Sequence, residues 1–318
     1  MVRKRIASLL ASGTEILHAL GLGDSVVAVS HECDYPEEAR DTPRVTFARV
    51  DAEASSGAID AEVQQRVRSG EPLYEIDVQR LAELRPDLIV TQSQCDVCAV
   101  SLDEVRRAVE EVEGLWHTRI VSLNPTTLNA VFEDILRVGD AAGVPGRAAE
   151  YVAALRRRVE AVRSETAKLS LADRPRVACI EWIEPLMLAA NWVPELIEIA
   201  GGRCDLTKTG VHSTFCQWEE LVAYDPEVIT ISPCGFDLPR TLVESKTLAA
   251  DPHWGKLSAV RTGRVFAVDG NAYFNRSGPR LVDSLELLAQ LVHPGRFPAG
   301  ASQVGVWANL TAHDASQG

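Results

Sequence analysis

Two stretches of the chain repeat one pattern of apolar and polar positions. Asp77-Val-Gln-Arg-Leu81-Ala-Glu-Leu-Arg-Pro86-Asp-Leu-Ile-Val90 and Gln217-Trp-Glu-Glu-Leu221-Val-Ala-Tyr-Asp-Pro226-Glu-Val-Ile-Thr230 each run from a short amphipathic helix through a Pro-acid step into a β-branched segment. An uninterrupted apolar run of this length, entered from a helix, reads as a strand buried on both faces of a parallel sheet. A helix, a proline and a strand recur in any α/β protein, but two copies with the Leu-to-Pro distance preserved favour a pair of similar α/β lobes. Each strand breaks into a loop that carries cysteine. Ligands of open α/β sheets sit beyond the carboxyl ends of the strands, so these loops predict a cleft between the lobes.

The same periodicity places strands at 4–10, 25–30, 87–91 and 119–123, and helices at 14–21, 75–84, 101–112 and 126–142. The N-terminal α/β lobe is therefore expected over 1–143, with a polar insertion at 51–76 that holds its own helix at 59–68. Ser12-Gly-Thr-Glu15 reads as the turn and capping box of the first helix. Across 144–172, Ala148, Tyr151, Val152, Leu155, Val159 and Val162 follow helical spacing, which predicts a bridging helix of roughly 20 residues, about 30 Å long. A single helical connector of this kind presets the width of a cleft, unlike a flexible double hinge. A C-terminal α/β lobe follows over 173–296, with strands near 176–181, 227–232 and 264–268 and helices near 193–200, 217–223 and 280–291. Residues 297–318, rich in Gly, Ala, Ser and Gln, are expected to be a loosely held tail.

Composition narrows the function classes. The 318 residues are 46% hydrophobic and 24% charged, ordinary for a globular protein with a sizeable core. A net charge of −13 without a Lys/Arg-rich run argues against nucleic acid, whose phosphates demand clustered cations. No apolar stretch reaches the roughly 18 residues of a membrane span. The apolar run Ile6 to Ala11 is short for a signal peptide, Glu15 and His18 interrupt the turns after it, and no cysteine precedes Cys33 to serve a lipid anchor. Seven cysteines, an odd number in both halves, do not make a secreted disulfide framework, so a cytoplasmic home is expected.

Several stretches resemble a known family. Ile6-Ala-Ser-Leu-Leu-Ala-Ser-Gly-Thr-Glu15-Ile-Leu-His-Ala-Leu20-Gly21, continuing to Gly23-Asp24-Ser-Val-Val-Ala-Val29, and Leu257-Ser-Ala-Val260-Arg-Thr-Gly-Arg-Val265-Phe-Ala-Val-Asp269 are similar to segments of the cobalamin- and siderophore-binding proteins of ABC importers. The resemblance runs from residue 4 to about 293, and within it the cobalamin-binding branch is the nearest subgroup. His31-Glu-Cys-Asp-Tyr-Pro36, Gln92-Ser-Gln-Cys-Asp-Val-Cys-Ala99 and Asn275-Arg-Ser-Gly-Pro-Arg280 carry that narrower likeness. It implies a class III periplasmic-binding-protein fold: two Rossmann-like lobes with parallel sheets joined by one long bridging helix, and a large ligand held non-catalytically between them. The missing export signal and the insertion at 51–76 depart from an importer's receptor and count against docking to an ABC permease. The family's paired docking glutamates have no assignable positions here.

The loops expected at strand ends supply Ser12, Gly13 and Thr14, His31 to Tyr35, Gln92 to Cys98, and Asn124 in the first lobe. The second offers Glu181, Trp182, Asn191, Trp192, His212, Cys234, Phe236, and Tyr273 to Arg276. A corrinoid is a broad, flat macrocycle edged with amides. Tyr35, Trp182, Trp192, Phe236 and Tyr273 could meet the ring, and Gln92, Gln94, Asn191 and Asn275 its rim, beside Ser12, Thr14, His212 and Arg276. Cys95-Asp-Val-Cys98 with Cys33 could hold zinc or an iron–sulfur cluster, completed by Cys216, Cys234, His31 or His212. The two thiols could instead be a redox pair or ordinary free thiols. His31, His212 or a cysteine could also ligate a corrinoid cobalt axially. Cys179, inside a strand, reads as a small core residue. The chain has no GxSxG, GxxxxGK[ST], HExxH or strand-borne GxGxxG, and Glu181, Glu184 and Glu195 read as loop carboxylates. A non-catalytic binder of cobalamin or a related metal chelate is the first expectation. A metal- or cluster-dependent enzyme or redox protein using Cys33, Cys95 and Cys98 is the alternative.

Overall fold

A computed structural model describes residues 3–93, 100–297 and 305–310. The chain forms an α/β fold that divides into two compact units. The first comprises Met1–Ala54, Ala58–Pro125 and Asn129–Ala154, and the second comprises Ser55–Gly57, Thr126–Leu128 and Leu155–Gly318.

In the first unit, β1 (Ile6–Ser8), α1 (Ala11–Ala19), β2 (Val26–Val29) and β3 (Thr46–Ala48) are followed by α2 (Ser56–Ser69), β4 (Tyr74–Ile76) and α3 (Val78–Leu84). Then come β5 (Leu88–Gln92), α4 (Leu102–Glu111), β6 (Arg119–Leu123), α5 (Leu128–Ala142) and α6 (Pro145–Thr166), whose residues from Leu155 onward belong to the second unit. The sheet is parallel in the order β2-β1-β5-β6, and β5 is buried at every residue, as its unbroken Leu-Ile-Val-Thr-Gln run requires. Ala7, Leu9, Ala28 and Ile89 pack one face against Leu81, Val105 and Leu115.

The second unit continues through β7 (Val177–Trp182), β8 (Met187–Leu188), α7 (Val193–Ile199), β9 (Thr214–Phe215), α8 (Trp218–Tyr224) and β10 (Val228–Ile231). It closes with α9 (Leu238–Ala249), α10 (Ser258–Arg261), β11 (Val265–Val268), α11 (Leu281–Val292) and β12 (Trp307–Asn309). Its sheet has the order β12-β11-β10-β7-β8-β9, with β7, β10 and β11 parallel and β8, β9 and β12 antiparallel to their neighbours. Arg158 on α6 reaches Asp283 at 2.5 Å and Glu286 at 2.7 Å on α11, fixing the helix that receives the loop after β11.

The sequence repeat is structural down to single hydrogen bonds. Helices α3 and α8 each end on a non-glycine residue in the left-handed region, Arg85 (φ 42°) and Asp225 (φ 47°), immediately before the proline that forbids further helix. The acid after each proline accepts a backbone N–H from an arginine that precedes the neighbouring strand: Arg5 to Asp87 Oδ2 at 2.8 Å, and Arg176 to Glu227 Oε2 at 2.9 Å. Each arginine returns its Nε to the end of the repeat's helix, at Leu84 O and at Asp225 O, both 2.8 Å. Leu81 and Leu221 are fully buried beneath the two helices.

Four expectations change. Helix α1 starts at Ala11 without a side-chain cap, so Ser12, Thr14 and Glu15 are buried within its first turns rather than forming a capping box. Tight seating on the sheet is the reason: a Cβ on Gly13 would lie 2.9 Å from Ser8 Oγ and from Val90 Cγ1. Tyr74–Ile76 is a strand paired with β3, not the start of a helix, because Thr46 faces Ile76 in register. The insertion thus holds one helix, α2, and ends in β4, whose partner β3 precedes it. In the tail, Trp307–Asn309 adds an antiparallel edge to β11, held by an edge-on contact of Trp307 with Phe266 at 5.5 Å. Finally, α9 occupies residues to which the periodicity assigns no element, with Asp237 accepting the Arg240 N–H at 2.9 Å as its cap.

One buried charge in the first unit sets a pH dependence. Asp134 on α5 is 2% exposed, and burial pushes its carboxyl up to about 6 despite the Arg137 guanidinium 2.7 Å away. The folded state therefore holds a proton that the unfolded chain, at 3.8, has released. Stability contributed by this group is present below about pH 4 and lost as pH rises toward about 6. In Asp134→Asn, denaturant melts across that window are expected to lose this downward slope, leaving a flatter profile than wild type.

Candidate functional site

The loops after β7, β10 and β11 form one braced assembly within the second unit. The β10 loop begins at Ser232 and turns through Gly235 (φ 79°), where Phe236 N–H returns to Pro233 O at 3.1 Å. The β11 loop is bonded onto it. Asn271 N–H donates to Phe236 O at 2.9 Å, and the Asn275 amide donates to Ser232 O at 2.9 Å and to Gly270 O at 2.8 Å. Gly270 is the closest approach, since a Cβ there would meet Ser232 C at 2.6 Å and Pro233 C at 2.8 Å. Asp269 caps its own loop by accepting Ala272 N–H at 2.9 Å, and burial pushes its carboxyl above the usual range. Arg276 donates to Asn271 Oδ1 at 2.7 Å.

On this frame sit the aromatic rings. Phe236 is 2% exposed and lies 5.3 Å from Trp182, tilted by 58°. The Arg240 guanidinium stands 3.6 Å from the Phe236 ring centroid. Trp182 is partly exposed, and its indole N–H donates to Glu184 O at 3.1 Å. Trp192 and Tyr273 are buried at 5% and 6%, and the Trp192 indole donates to Phe274 O at 2.7 Å. Among the expected ring contacts of this unit, Trp182 is therefore the exposed one, while Trp192, Phe236 and Tyr273 are framework. Asn275, expected at a ligand's rim, has both amide hydrogens engaged on backbone carbonyls.

The remaining second-unit residues lie around the turn after β8. Asn191 (φ 51°) donates its N–H to Val211 O at 2.7 Å, which brings it beside the exposed His212. Ser213 links this turn to β7, accepting Ala190 N–H at 3.0 Å and donating to Glu181 Oε2 at 2.7 Å. Burial raises the Glu181 carboxyl and the Ser213 hydrogen bond partly opposes that rise.

In the first unit, Thr14 and Gln92 are buried and Tyr35 is 48% exposed. Thr14 Oγ1 lies 3.0 Å from Cys33 Sγ, and Ser30 Oγ lies 3.2 Å from it. His31 is bonded through Nδ1 to Thr46 Oγ1 at 2.8 Å and stacks near Tyr74, with ring centroids 5.3 Å apart; burial and then Arg44 depress its basicity. Gln94, Cys95 and Cys98 lie outside the described residues.

Of the cysteines read as metal ligands, Cys33, Cys216 and Cys234 lie among the described residues. Cys33 is fully buried between two hydroxyls, a small core thiol rather than an open ligand. Cys216 bonds Gln217 O at 3.4 Å, and burial pushes its thiol up to about 11. Cys234 is exposed. Among the described residues, no three His, Cys, Asp or Glu side chains gather as a metal-binding group. The second-unit residues that the sequence did not single out, Arg240, Asp269, Gly270 and Asn271, share one signal: each stands within four residues of a strand end or a candidate ring.

The chain belongs to the periplasmic binding protein family, whose model matches residues 6–272. It is 22% identical, over 92% of its length and 81% of the relative's, to an uncharacterized ABC transporter substrate-binding lipoprotein of Bacillus subtilis. Among solved structures it superposes on a periplasmic vitamin B12 binding protein of Vibrio cholerae with a TM-score of 0.64 at 22% identity, covering 92% of this chain and 97% of that one. A periplasmic heme-binding protein of Roseiflexus gives a TM-score of 0.67 at 22% identity, with 92% and 99% covered. The protein is a non-catalytic solute-binding protein, and the enzyme alternative finds no support. The cytoplasmic expectation is overturned, because these relatives are named as periplasmic or lipoprotein binding proteins.

Proposed function

We propose that this member of the periplasmic binding protein family binds a corrinoid of the cobalamin class. The observation that carries the reading is the partly exposed Trp182 ring seated on buried Phe236 among the loops that follow β7, β10 and β11. A flat macrocycle offers the apolar face that such a ring can cover, and its amide edge suits neighbouring polar groups. Trp182, Asn191, His212 and Arg276 are the proposed contacts of the second unit, with Trp192, Phe236, Tyr273 and Asn275 holding the loops beneath them. Tyr35 and Gln94 are the proposed contacts of the first, with the buried Ser12, Thr14 and Gln92 as framework there. Vitamin B12-binding proteins that match nine-tenths of the chain support the ligand class. Names of the relatives also support delivery to an ABC importer, against the departure at 51–76.

Calorimetric titration with cyanocobalamin, dicyanocobinamide, hemin and a ferric hydroxamate tests the reading. The corrinoids are expected to bind one to one with a Kd of about 1 µM or below, and the other two at least about tenfold more weakly. Saturation by hemin or the hydroxamate without heat from either corrinoid would overturn it.

A further inference from the structure

We infer that Arg240 is a positioning residue for the ligand face: it holds the Phe236 ring in place and thereby fixes the plane that Trp182 presents. This rests on the corrinoid reading of the same loops.

The local chain explains how the clamp arises. Gly235 in the left-handed region turns the backbone so that Phe236 immediately precedes Asp237, the cap of α9. Asp237 accepts the Arg240 N–H at 2.9 Å, which sets Arg240 in the first turn of the helix. Its side chain can then fold back over the residue before the cap, and its guanidinium carbon does so, 3.6 Å from the Phe236 centroid. That is well inside the distance at which a cation is drawn to an aromatic face. Phe236 has Trp182 as a second aromatic neighbour, at 5.3 Å and a 58° tilt, an arrangement between stacked and edge-to-face.

Phe236 is 2% exposed, so it presents almost no surface to a ligand. Its role in the site is transmitted through Trp182. Trp182 has a fixed point of its own, the indole N–H to Glu184 O at 3.1 Å, but one hydrogen bond leaves the ring free to swing about that anchor. Contact with a Phe236 held in place removes that freedom. Ordering the ring before the ligand arrives lowers the entropy that binding would otherwise lose. Charge is the property required of the clamping side chain: it attracts the ring, lysine keeps it, and methionine, of comparable length, does not.

The test compares Arg240→Lys and Arg240→Met, each made in wild type and in Trp182→Phe, with thermal melts to confirm folding. In the ligand-free protein, acrylamide quenching and near-ultraviolet circular dichroism of Trp182, taken as the difference from Trp182→Phe, report the ring's order. Arg240→Met is expected to increase quenching of Trp182 and to weaken cyanocobalamin binding by about three- to tenfold. Arg240→Lys should retain most of both properties, and Arg240→Met should add little in the Trp182→Phe background. Equal behaviour of the lysine and methionine variants, or fully additive losses with Trp182→Phe, would overturn the inference. If no corrinoid binds wild type, the proposed function fails while the ligand-free signals still decide the role of Arg240.

Discussion

Trp182→Ala is expected to weaken cyanocobalamin binding by about thirtyfold or more while leaving the fold intact. A central tryptophan in a binding surface commonly accounts for about 2 kcal/mol or more of affinity when truncated, which converts to roughly that factor. The ring is partly exposed and its hydrogen bond goes to Glu184 O in its own turn, so its removal opens no large cavity in the sheet. The strand beneath is secured separately, with Ile180 at 0% exposure and paired to Ile231 of β10. Trp182→Phe keeps an aromatic face against Phe236 and is expected to stay within about fivefold of wild type. An unchanged Kd in a folded Trp182→Ala protein would remove this residue from the binding surface.

The second large effect is one of stability. Gly270→Ala places a Cβ against the backbone of the β10 loop, overlapping the Pro233 carbonyl oxygen and standing 2.6 Å from Ser232 C. Backbone atoms cannot rotate aside as a side chain would. The β10 and β11 loops must separate, at the expense of the Asn275 bond to Ser232 O and of the Asn271 bond to Phe236 O. Overpacking of this kind costs about 3 kcal/mol, corresponding to a Tm lower by about 6–12 °C. Corrinoid affinity should fall with it, because the displaced loop carries Phe236. Gly255→Ala is the control: no atom lies within 4 Å of its added Cβ, and its Tm should move by about 1 °C or less. A Tm for Gly270→Ala within that same margin would show that the loops yield without strain.

Much of the scaffold is legible in the chain because burial on both faces leaves a mark in composition. Val177–Ile180, Val228–Ile231 and Leu88–Thr91 are unbroken apolar or β-branched runs, and each lies in the strand such a run implies. The repeated Leu-to-Pro spacing marks helices α3 and α8 for the same reason, since a buried leucine and a helix-ending proline are local requirements. The short strands β3, β4, β8, β9 and β12 leave no such mark. Two or three residues are too few to show a period, and their extended state is set by a partner: Met187 faces Phe215, and Phe266 faces Asn309.

The site divides along the same line. Residue type and position beyond a strand end identify Trp182 as a candidate ring contact, and the loop after β10 as part of a site. They cannot distinguish the exposed ring from the buried ones, because Trp192, Phe236 and Tyr273 stand in equally suggestive positions and only their neighbours bury them. Cys33 is the converse case. Its spacing from Cys95 and Cys98 invites a metal, yet Thr14 and Ser30, one distant and one near in sequence, surround its sulfur with hydroxyls.

Periodicity and the conformational limits of proline are written locally in the chain, so the parallel α/β scaffold, its internal repeat and the segments beyond the strands could be read without coordinates. Which side chains are presented and which brace them, including Arg240 on Phe236 and Gly270 on Pro233, was settled by the folded molecule alone. Those assignments depend on distances between backbone segments and rings that only packing sets.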